Sequence, residues 1–347
     1  MSEEVERIAV LGAGTMGHGI AQVAAVSGIP VVIRDIAQEF LDGAQKRIEE
    51  SLKRQVERGR MTDEEVTEVI GNLSYTLDLE EAVRDADLII EAIPEKMDLK
   101  RRVWSEASDA ARGDAILATN TSSLSITGIA EAVADPERFI GMHFFNPATL
   151  MRLVEVIPGE RTGVKTVERV KAIAEMMGKT PVEVKKDVVG FIVNRILVTY
   201  LNEAARLLET ESYTKEQIDG AMQHRAGMPL GPLMLSDLIG LDIVYHVLKV
   251  FEENLGPEYK PADIIEDLYK ADKLGRKTGE GFYNYAQRPS VTEGEGEGFD
   301  VDLLLEPFIA EAEKVVSEGI ADPESVDTAL KLGGNIPKGP FEMKGGK

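Results

Sequence analysis

The sequence predicts an α/β fold, in which a doubly wound sheet is followed by an all-α domain that carries a partial repeat. Short apolar runs alternate with helical patterns up to about residue 186, which is typical of successive βαβ units. An almost wholly apolar helical stretch at 190–208 begins a helical region that continues to about residue 270. The chain also resembles itself at a separation of 108 residues. We expect domains at 1–186, 187–288 and 298–347, the last being an incomplete second copy of the helical domain.

Short runs rich in Val, Ile, Leu and Ala predict the strands of the sheet. Strands are expected at 5–11, 30–34, 88–93, 115–118, 139–143 and 151–157. The early strands are joined by predicted helices at 14–27 and about 37–58. Such continuous apolar runs are typical of parallel strands that are buried on both faces.

The internal repeat aligns residues 200–222 with residues 308–330 without a gap. Identical pairs at that spacing are Glu203/Glu311, Asp219/Asp327, Gly231/Gly339 and Pro232/Pro340. Because the apolar helix positions recur, the second copy should dock on the helical domain of its own chain or of a neighbouring chain. It should carry no chemistry, since Asp302 stands opposite Asn194. The stretch EGEGEG at 293–298 is predicted to be an acidic linker that buries no core.

Composition and charge restrict the classes of function. The chain has 39 Lys and Arg against 61 Asp and Glu, a net charge of −22, which argues against nucleic-acid or anionic membrane partners. The absence of cysteine excludes disulfides, thiolate catalysis and thiolate metal sites. No run approaches the roughly 18 apolar residues of a membrane span, and the acidic N-terminus is unlike a signal peptide. We expect a cytoplasmic protein without a bound metal.

The motif GAGTMG at 12–17 predicts a Rossmann-type dinucleotide site. Gly12 permits a tight turn, Gly14 lets the backbone approach a pyrophosphate, and Gly17 lets the next helix pack against the strand. Thr15 and Met16 lie in the same loop, where helix N–H groups would face the phosphates. A glycine turn without a ligand is the competing interpretation, but the motif follows a predicted strand and opens a predicted helix.

Asp35, at the end of the second predicted strand, favours NAD over NADP. Its carboxylate would accept hydrogen bonds from both ribose hydroxyls and would repel a 2′-phosphate. Arg34 beside it points the other way, because an arginine could pair with that phosphate.

His143 in the segment HFFNP at 143–147 is the candidate general base. It ends a predicted strand, where open α/β sheets bind their ligands, and imidazole exchanges a proton near neutral pH. Glu155 lies on the apolar face of the alternating segment MRLVEVI at 151–157, where a carboxylate is costly unless it is paired. His143 is its natural partner, although an exposed glutamate on an edge strand is the alternative.

Two further polar groups stand beside the apolar runs. The segment NTSS at 120–123 follows a strand, and its simpler interpretation is a cap, with Ser123 capping the helix near residue 126. Asn194 lies within the apolar helix, where it is either functional or a core amide satisfied by the backbone.

The helix near 46–60 carries a net positive patch on an acidic protein. Ser51, Arg54 and Arg58 share one helix face at i, i+3 and i+7. A solvated, charged helix is the alternative, and on this evidence alone it is the better interpretation.

These motifs occur in one order that identifies a family. GAGTMGHGIA, EAIPEK at 91–96, NTSSL, HFFNP, LVEVI, GFIVNR at 190–195 and RKTGEGFY at 276–283 resemble those of the L-3-hydroxyacyl-CoA dehydrogenases over about residues 5–285. The resemblance implies NAD-dependent, reversible oxidation of an (S)-3-hydroxyacyl-CoA to a 3-ketoacyl-CoA. It further implies that His143 is the base, that Glu155 orients it, and that Ser122 and Asn194 hydrogen-bond the substrate oxygens.

The same resemblance extends to cofactor, coenzyme A and partner contacts. Glu95, Lys100, Asn120 and Lys277 match positions on the NAD side, and Ser51, Arg54 and Arg58 fall on the helix that contacts coenzyme A. The helical domain would form a homodimer or would pack against its own repeat. The resemblance also allows a longer parent chain that continues into an enoyl-CoA hydratase.

Two other functions compete with this one. An L-gulonate 3-dehydrogenase-like enzyme would share the Ser, His, Glu and Asn set, but the basic helix favours an acyl-CoA. A non-catalytic relative of the fold should have lost His143, Glu155 or Asn194, and all three are present. A nucleotide-sugar dehydrogenase with a cysteine nucleophile is excluded.

Overall fold

The computed structural model describes residues 5–345, and the chain divides into two compact units after Asp187. The first unit is α/β, and the second, which begins at Val188, is helical. This confirms the predicted fold class. Within the described residues, no helix combines the length and the hydrophobicity that crossing a membrane requires.

The first unit is built on an eight-stranded sheet with the strand order β3-β2-β1-β4-β5-β6-β7-β8. The strands are β1 (Ile8–Leu11), β2 (Val31–Arg34), β3 (Leu73–Thr76), β4 (Leu88–Glu91), β5 (Ile116–Thr119), β6 (Phe139–Phe144), β7 (Leu153–Pro158) and β8 (Thr180–Glu183). All neighbouring strands are parallel except β6 and β7, which are antiparallel. The strand order reverses beside β1, which is where doubly wound sheets bind dinucleotides.

Helices cover the sheet and complete the buried core of the first unit. They are α1 (Thr15–Val26), α2 (Gln38–Glu57), α3 (Asp63–Gly71), α4 (Leu79–Val83), α5 (Met97–Ala110), α6 (Ile126–Ala130) and α7 (Val164–Met176), with a 3-10 turn at Pro136–Arg138. The central strands β1 and β4 are buried along their whole length. The core therefore lies directly beneath the loops that leave the carboxyl ends of these strands.

Two edge strands were not predicted from the sequence. β3 is only partly buried, so it lacks the apolar run that marks the central strands. β8 contains Pro181, which lacks an N–H donor and is tolerated at the edge of a sheet.

The second unit is entirely helical. Its helices are α8 (Val193–Glu209), α9 (Lys215–His224), α10 (Pro232–Ile239), α11 (Leu241–Leu255), α12 (Asp263–Lys270), α13 (Asp302–Ser317), α14 (Pro323–Gly333) and α15 (Pro340–Gly345), with 3-10 turns at Pro257–Tyr259 and Gly294–Gly296. The apolar helix predicted at 190–208 corresponds to α8. It begins at Val193 rather than at 190, because Gly190 and Phe191 have left-handed backbones, with φ of 78° and 50°.

The repeat is visible in three dimensions. Helices α13, α14 and α15 lie 108 residues after α8, α9 and α10 to within a residue or two. Asp219 accepts hydrogen bonds from the first N–H groups of α10, and Asp327 does the same for α15. The equivalent residues Tyr200 and Phe308 also pack edge to face, with ring centroids 5.5 Å apart. The second copy is thus docked on the helical unit of its own chain.

The acidic stretch 293–298 is not the free linker that its composition suggested. It contains the 3-10 turn Gly294–Gly296, and Gly296 is buried against α9. A Cβ on Gly296 would lie 2.5 Å from the backbone N of Ala221, and one on Gly220 would lie 2.9 Å from the N of Gly296. Glycine is required here by close backbone packing, so a low-complexity pattern conceals a specific contact.

Candidate functional site

The glycine loop between β1 and α1 has the geometry that a dinucleotide requires. Gly12 has a φ of +105°, and a Cβ there would lie 2.6 Å from the carbonyl oxygen of Ala92. A Cβ on Gly17 would lie 1.8 Å from the carbonyl oxygen of Gly12, so α1 can approach the loop only with glycine there. A Cβ built on Gly14, by contrast, would meet no described residue beyond its immediate chain neighbours within 4 Å. The packing of the loop does not require this second glycine of the motif, whereas a pyrophosphate that approached the N-terminus of α1 would need the open space.

Asp35 and Arg47 bind the two peptide groups that flank Ala13 in this loop. Asp35 Oδ2 accepts a hydrogen bond from the backbone N of Ala13 at 2.6 Å, and Arg47 Nη2 donates to the carbonyl oxygen of Ala13 at 2.8 Å. Asp35, which was expected to bind a ribose, directly follows β2 and is half-exposed. Arg34 donates to the carbonyl oxygen of Leu77 at 3.3 Å.

His143 lies between a carboxylate and a hydroxyl. β6 and β7 pair in antiparallel register with His143 directly opposite Glu155. His143 Nδ1 lies 2.8 Å from Glu155 Oε2, and His143 Nε2 lies 3.0 Å from Ser122 Oγ. Glu155 is fully buried and His143 is 4% exposed. The pairing of His143 with Glu155 that the alternation of β7 predicted is therefore present. Ser122 is the third member of this row of hydrogen-bonded side chains.

The loop that presents Ser122 is organised by Glu95. A single oxygen, Oε1, accepts from Thr121 Oγ1 at 2.5 Å, Ser122 N at 2.9 Å and Ser123 N at 3.1 Å, and also from Ser123 Oγ. Burial pushes the pKa of Glu95 upward, but Lys100 and the bonds from Thr121 and Ser122 lower it below its ordinary value. Glu95 was expected on the NAD side, and the structure adds a contact with the serine loop.

Lys100 supports Glu95 from beneath. Its side chain is 1% exposed, and its ammonium nitrogen lies 2.6 Å from Glu91 and 3.3 Å from Glu95. Glu91 is fully buried and also accepts from Trp104 and Thr119. Lys100, which was expected to contact NAD, is thus buried among carboxylates. It is linked to the protein surface through its ion pair with Glu95.

Asn120 and Ser125 make further side-chain contacts that hold the segment between β5 and α6. Asn120 is buried, and its Oδ1 accepts from the backbone N of Phe144 at 2.8 Å, which ties the NTSS loop to the end of β6. The cap of α6 is Ser125, which accepts from Gly128 N, so the assignment of that cap to Ser123 was wrong. Ser123 instead donates to Glu95.

The basic helix α2 borders a cavity of about 230 Å³ in the first unit. Its wall contains Ser51 and Arg54, together with Thr15 of the glycine loop. Arg58, at the carboxyl end of α2, is not part of this wall. The other lining residues are His18, Gly19, Gln22, Arg47, Glu50 and the segment 146–149. Sequence reasoning missed His18 and did not connect the end of the HFFNP segment with α2, whereas Arg47 belonged to the basic run already noted.

Two expected site residues belong to the helical unit. Asn194 is half-buried in the first turn of α8. Lys277 forms an ion pair with Asp242, at the start of α11. No group of three or more His, Asp or Glu side chains that could hold a metal ion occurs within residues 5–345.

A doubly wound sheet, a glycine loop shaped for a pyrophosphate, an acidic residue after β2 and a paired histidine at a strand end define an NAD-dependent dehydrogenase. The sequence profiles of two families match: the NAD-binding domain of 3-hydroxyacyl-CoA dehydrogenase over residues 7–188, and its C-terminal domain over 190–285 and again over 298–344. The chain belongs to the 3-hydroxyacyl-CoA dehydrogenase family and is an NAD-dependent oxidoreductase.

Individual relatives agree with this assignment. A probable 3-hydroxybutyryl-CoA dehydrogenase of Deinococcus radiodurans is 44% identical over 280 residues, which is 80% of this chain and all of that protein. The fatty acid oxidation complex subunit alpha of Idiomarina loihiensis is 37% identical over 364 residues, covering 98% of this chain but 50% of that protein. The crystal structure of 3-hydroxybutyryl-CoA dehydrogenase from Escherichia coli K12 matches 99% of this chain and 92% of its own, with 28% identity and a TM-score of 0.93.

Proposed function

We propose that this enzyme oxidises (S)-3-hydroxyacyl-CoA to 3-ketoacyl-CoA reversibly, with His143 as the general base. The observation that carries the proposal is the hydrogen-bonded chain from Glu155 through His143 to Ser122, with distances of 2.8 and 3.0 Å. Bound NAD supplies the acceptor for the hydride that leaves C3 of the substrate.

The chain of contacts determines which nitrogen of His143 is reactive. Because Glu155 is buried and lies on Nδ1, it holds the proton on that nitrogen and leaves the lone pair of Nε2 towards Ser122. Nε2 then accepts the proton of the substrate hydroxyl as the C3–H bond breaks. The buried carboxylate stabilises the imidazolium that results, and the proton returns to solvent after ketone release.

Ser122 and Asn194 have a positioning task in this proposal. The hydroxyl of Ser122, held 3.0 Å from Nε2 by its loop, can bond the reacting oxygen of the substrate beside the base. Asn194 offers an amide donor to a substrate oxygen, as the family resemblance implies. Hydrogen-bond donors aimed at this oxygen stabilise the negative charge that develops on it as its proton leaves.

The cationic wall of α2 supports coenzyme A as the handle of the substrate. Arg54 and Ser51 line the cavity beside the glycine loop, and Arg58 caps the carboxyl end of the same helix. Guanidinium groups bind phosphates by charge-assisted hydrogen bonds, so a local cationic cluster can attract an anionic ligand to an acidic protein.

The chemistry is tested by NADH oxidation with acetoacetyl-CoA. His143→Gln should lower kcat by at least about 100-fold, because general base catalysis supplies roughly 100- to 10,000-fold. Glu155→Gln should lower kcat and shift the pH–rate profile. The matched control is His246→Gln, because His246 is exposed and is hydrogen-bonded to Tyr269 and the backbone of Asp242. This variant should have normal kinetics. Near-normal kcat in His143→Gln would refute the assignment.

The substrate class is tested with a truncated analogue, the acetoacetyl thioester of N-acetylcysteamine, which lacks the nucleotide. Arg54→Ala and Arg58→Ala should each raise KM for acetoacetyl-CoA by about 10-fold, the value of one charge-assisted hydrogen bond. Both variants should treat the analogue as the wild type does. Faster turnover of L-gulonate than of any hydroxyacyl-CoA would favour the competing sugar-acid function.

A further inference from the structure

A buried ion pair joins the two copies of the helical repeat. Arg195, in the first turn of α8, directs Nε to Glu311 Oε1 of α13 at 2.5 Å, and both side chains are 3% exposed. The hydroxyl of Tyr259 donates to Glu311 at 2.8 Å and accepts from Arg195 Nη2 at 3.1 Å. Lys314 contacts the other oxygen of Glu311 at 3.0 Å, and Glu318 contacts Arg195 at 3.2 Å. Every polar edge of this pair is thus engaged.

The pair does not follow the symmetry of the repeat. The position equivalent to Arg195 in the second copy is Leu303, so the arginine exists only in the first copy. The residue equivalent to Glu311 is Glu203, whose side chain is 30% exposed and pairs with Arg206 on its own helix. The second copy therefore supplies a carboxylate to the first and receives no equivalent pair in return.

Arg195 follows Asn194 directly, at the point where the chain enters α8. Gly190 and Phe191, four and three residues before Asn194, have left-handed backbones, and a Cβ on Gly190 would lie 2.4 Å from the ring of Phe251. The entry to the helix is therefore tightly constrained. Burial alone would lower the pKa of Arg195, but its contact with Glu311 raises it, so the guanidinium remains charged. Adjacent helical residues rotate together, so anchoring the side chain of Arg195 also fixes the direction of Asn194.

We propose that Glu311 and Arg195 are positioning residues for Asn194, so that the half-copy of the helical domain takes part in catalysis without touching the substrate. This inference rests on the proposed role of Asn194 in holding the substrate. A misplacement of about 1 Å in a positioning group can cost about 100-fold in rate. Glu311→Gln keeps the size of the side chain and removes its charge, so a smaller loss, about 10-fold in kcat/KM for acetoacetyl-CoA, is expected.

The decisive experiment is a double-mutant cycle of Glu311→Gln and Asn194→Ala, in the full chain, with acetoacetyl-CoA and NADH. If Glu311 acts through Asn194, Glu311→Gln should lower kcat/KM about 10-fold in the wild type and less than about 2-fold in Asn194→Ala. Thermal stability should decrease in both backgrounds, because the loss of packing and charge does not depend on Asn194. The repeat-related variant Glu203→Gln is the matched control and should leave kinetics unchanged.

Each outcome separates this inference from the proposed function. If Asn194→Ala leaves acyl-CoA kinetics unchanged, the proposed role of Asn194 fails and this inference fails with it. If Asn194→Ala is slow but Glu311→Gln is normal or fully additive, only the positioning inference is overturned. Should Glu311→Gln not fold, Tyr259→Phe replaces it, since it removes only the bridging hydroxyl. That variant should show a loss of about 3-fold with the same non-additivity, and additivity would be equally decisive.

Discussion

Removing the charge of Glu95 should displace Ser122, which is the neighbour of the proposed base His143. Oε1 of Glu95 accepts from the backbone N of Ser122 at 2.9 Å and of Ser123 at 3.1 Å, and from the hydroxyls of Thr121 and Ser123. Glu95→Gln replaces a charged acceptor by a neutral amide oxygen of the same shape. The resemblance to the family placed Glu95 beside NAD, whereas the contacts give it a second task as the anchor of Ser122.

The magnitude follows from the number of bonds that weaken. Hydrogen bonds to a charged group contribute about 1.5–3 kcal/mol each and neutral ones about 1 kcal/mol, so each of the four loses roughly 0.5–2 kcal/mol. They share one oxygen and are not additive, so we take about 2 kcal/mol as the total, which corresponds to roughly 30-fold. Glu95→Gln should therefore lower kcat by about 10- to 30-fold, and Glu95→Ala by more.

Steady-state kinetics with NADH and acetoacetyl-CoA as separately varied substrates provides the assay. A loop anchor predicts a lower kcat with KM for NADH changed less than about 3-fold, whereas a pure cofactor contact predicts the reverse. Glu131, whose side chain is 62% exposed and pairs with Arg101, supplies the control Glu131→Gln, which removes the same charge without touching the loop. A normal kcat in Glu95→Gln combined with a raised KM for NADH would refute the anchoring argument.

Three further predictions concern the cofactor site and the response to pH. Asp35→Ser should reduce the ratio of kcat/KM for NAD over NADP by about 10-fold or more, because it removes an acceptor of ribose hydroxyls and a repulsive charge; an unchanged ratio would mean that another residue selects the cofactor. Gly14→Ala should raise KM for NAD without lowering the melting temperature. Gly17→Ala should lower the melting temperature, because its Cβ would lie 1.8 Å from the carbonyl oxygen of Gly12. Equal melting temperatures of the two variants would contradict this interpretation of the loop. Burial lowers the pKa of Lys179 from 10.5 to about 8, so the folded protein binds this proton less firmly than the unfolded chain and the free energy of unfolding should rise with pH between these values; Lys179→Met should remove that rise in denaturant titrations, and identical slopes would exclude the lysine as its source.

The sequence predicted the paired groups of the first unit where local pattern carries the information. The alternation of 151–157 assigned Glu155 to the buried face of a strand, and the short connection from His143 made that histidine its neighbour. The antiparallel register of β6 and β7 then sets the two side chains directly opposite each other. The glycine loop was predictable for the same reason, because its spacing follows from steric requirements of adjacent residues.

Long-range polar networks left no such pattern. Glu95 reaches the NTSS loop across 26 to 28 positions, and nothing about its neighbours in sequence indicates that it accepts from Ser122. The burial of Lys100 among carboxylates was equally hidden, since a lysine on an amphipathic helix usually faces solvent. The stretch 293–298 was misinterpreted because composition reports average solvation, whereas the packing of Gly296 depends on one backbone contact.

The repeat shows that packing and chemistry can be copied separately. Asp219 and Asp327 each accept two N–H groups at the start of the next helix, and Gly231 and Gly339 are required because a Cβ on either would lie 2.2–2.3 Å from that aspartate. These constraints are local to each copy, so the half-copy can form its own helices. Its apolar stripe still needs a second surface, and α8 of the first copy provides it. The copies differ in what each contributes to the contact between them, since one supplies Arg195 and the other Glu311. A carboxylate is costly to bury unless it faces a cation, so this pair favours a single register of the docked helices. The half-copy thus contributes through orientation of α8, which is why its effect should be visible in acyl-CoA kinetics rather than in stability alone.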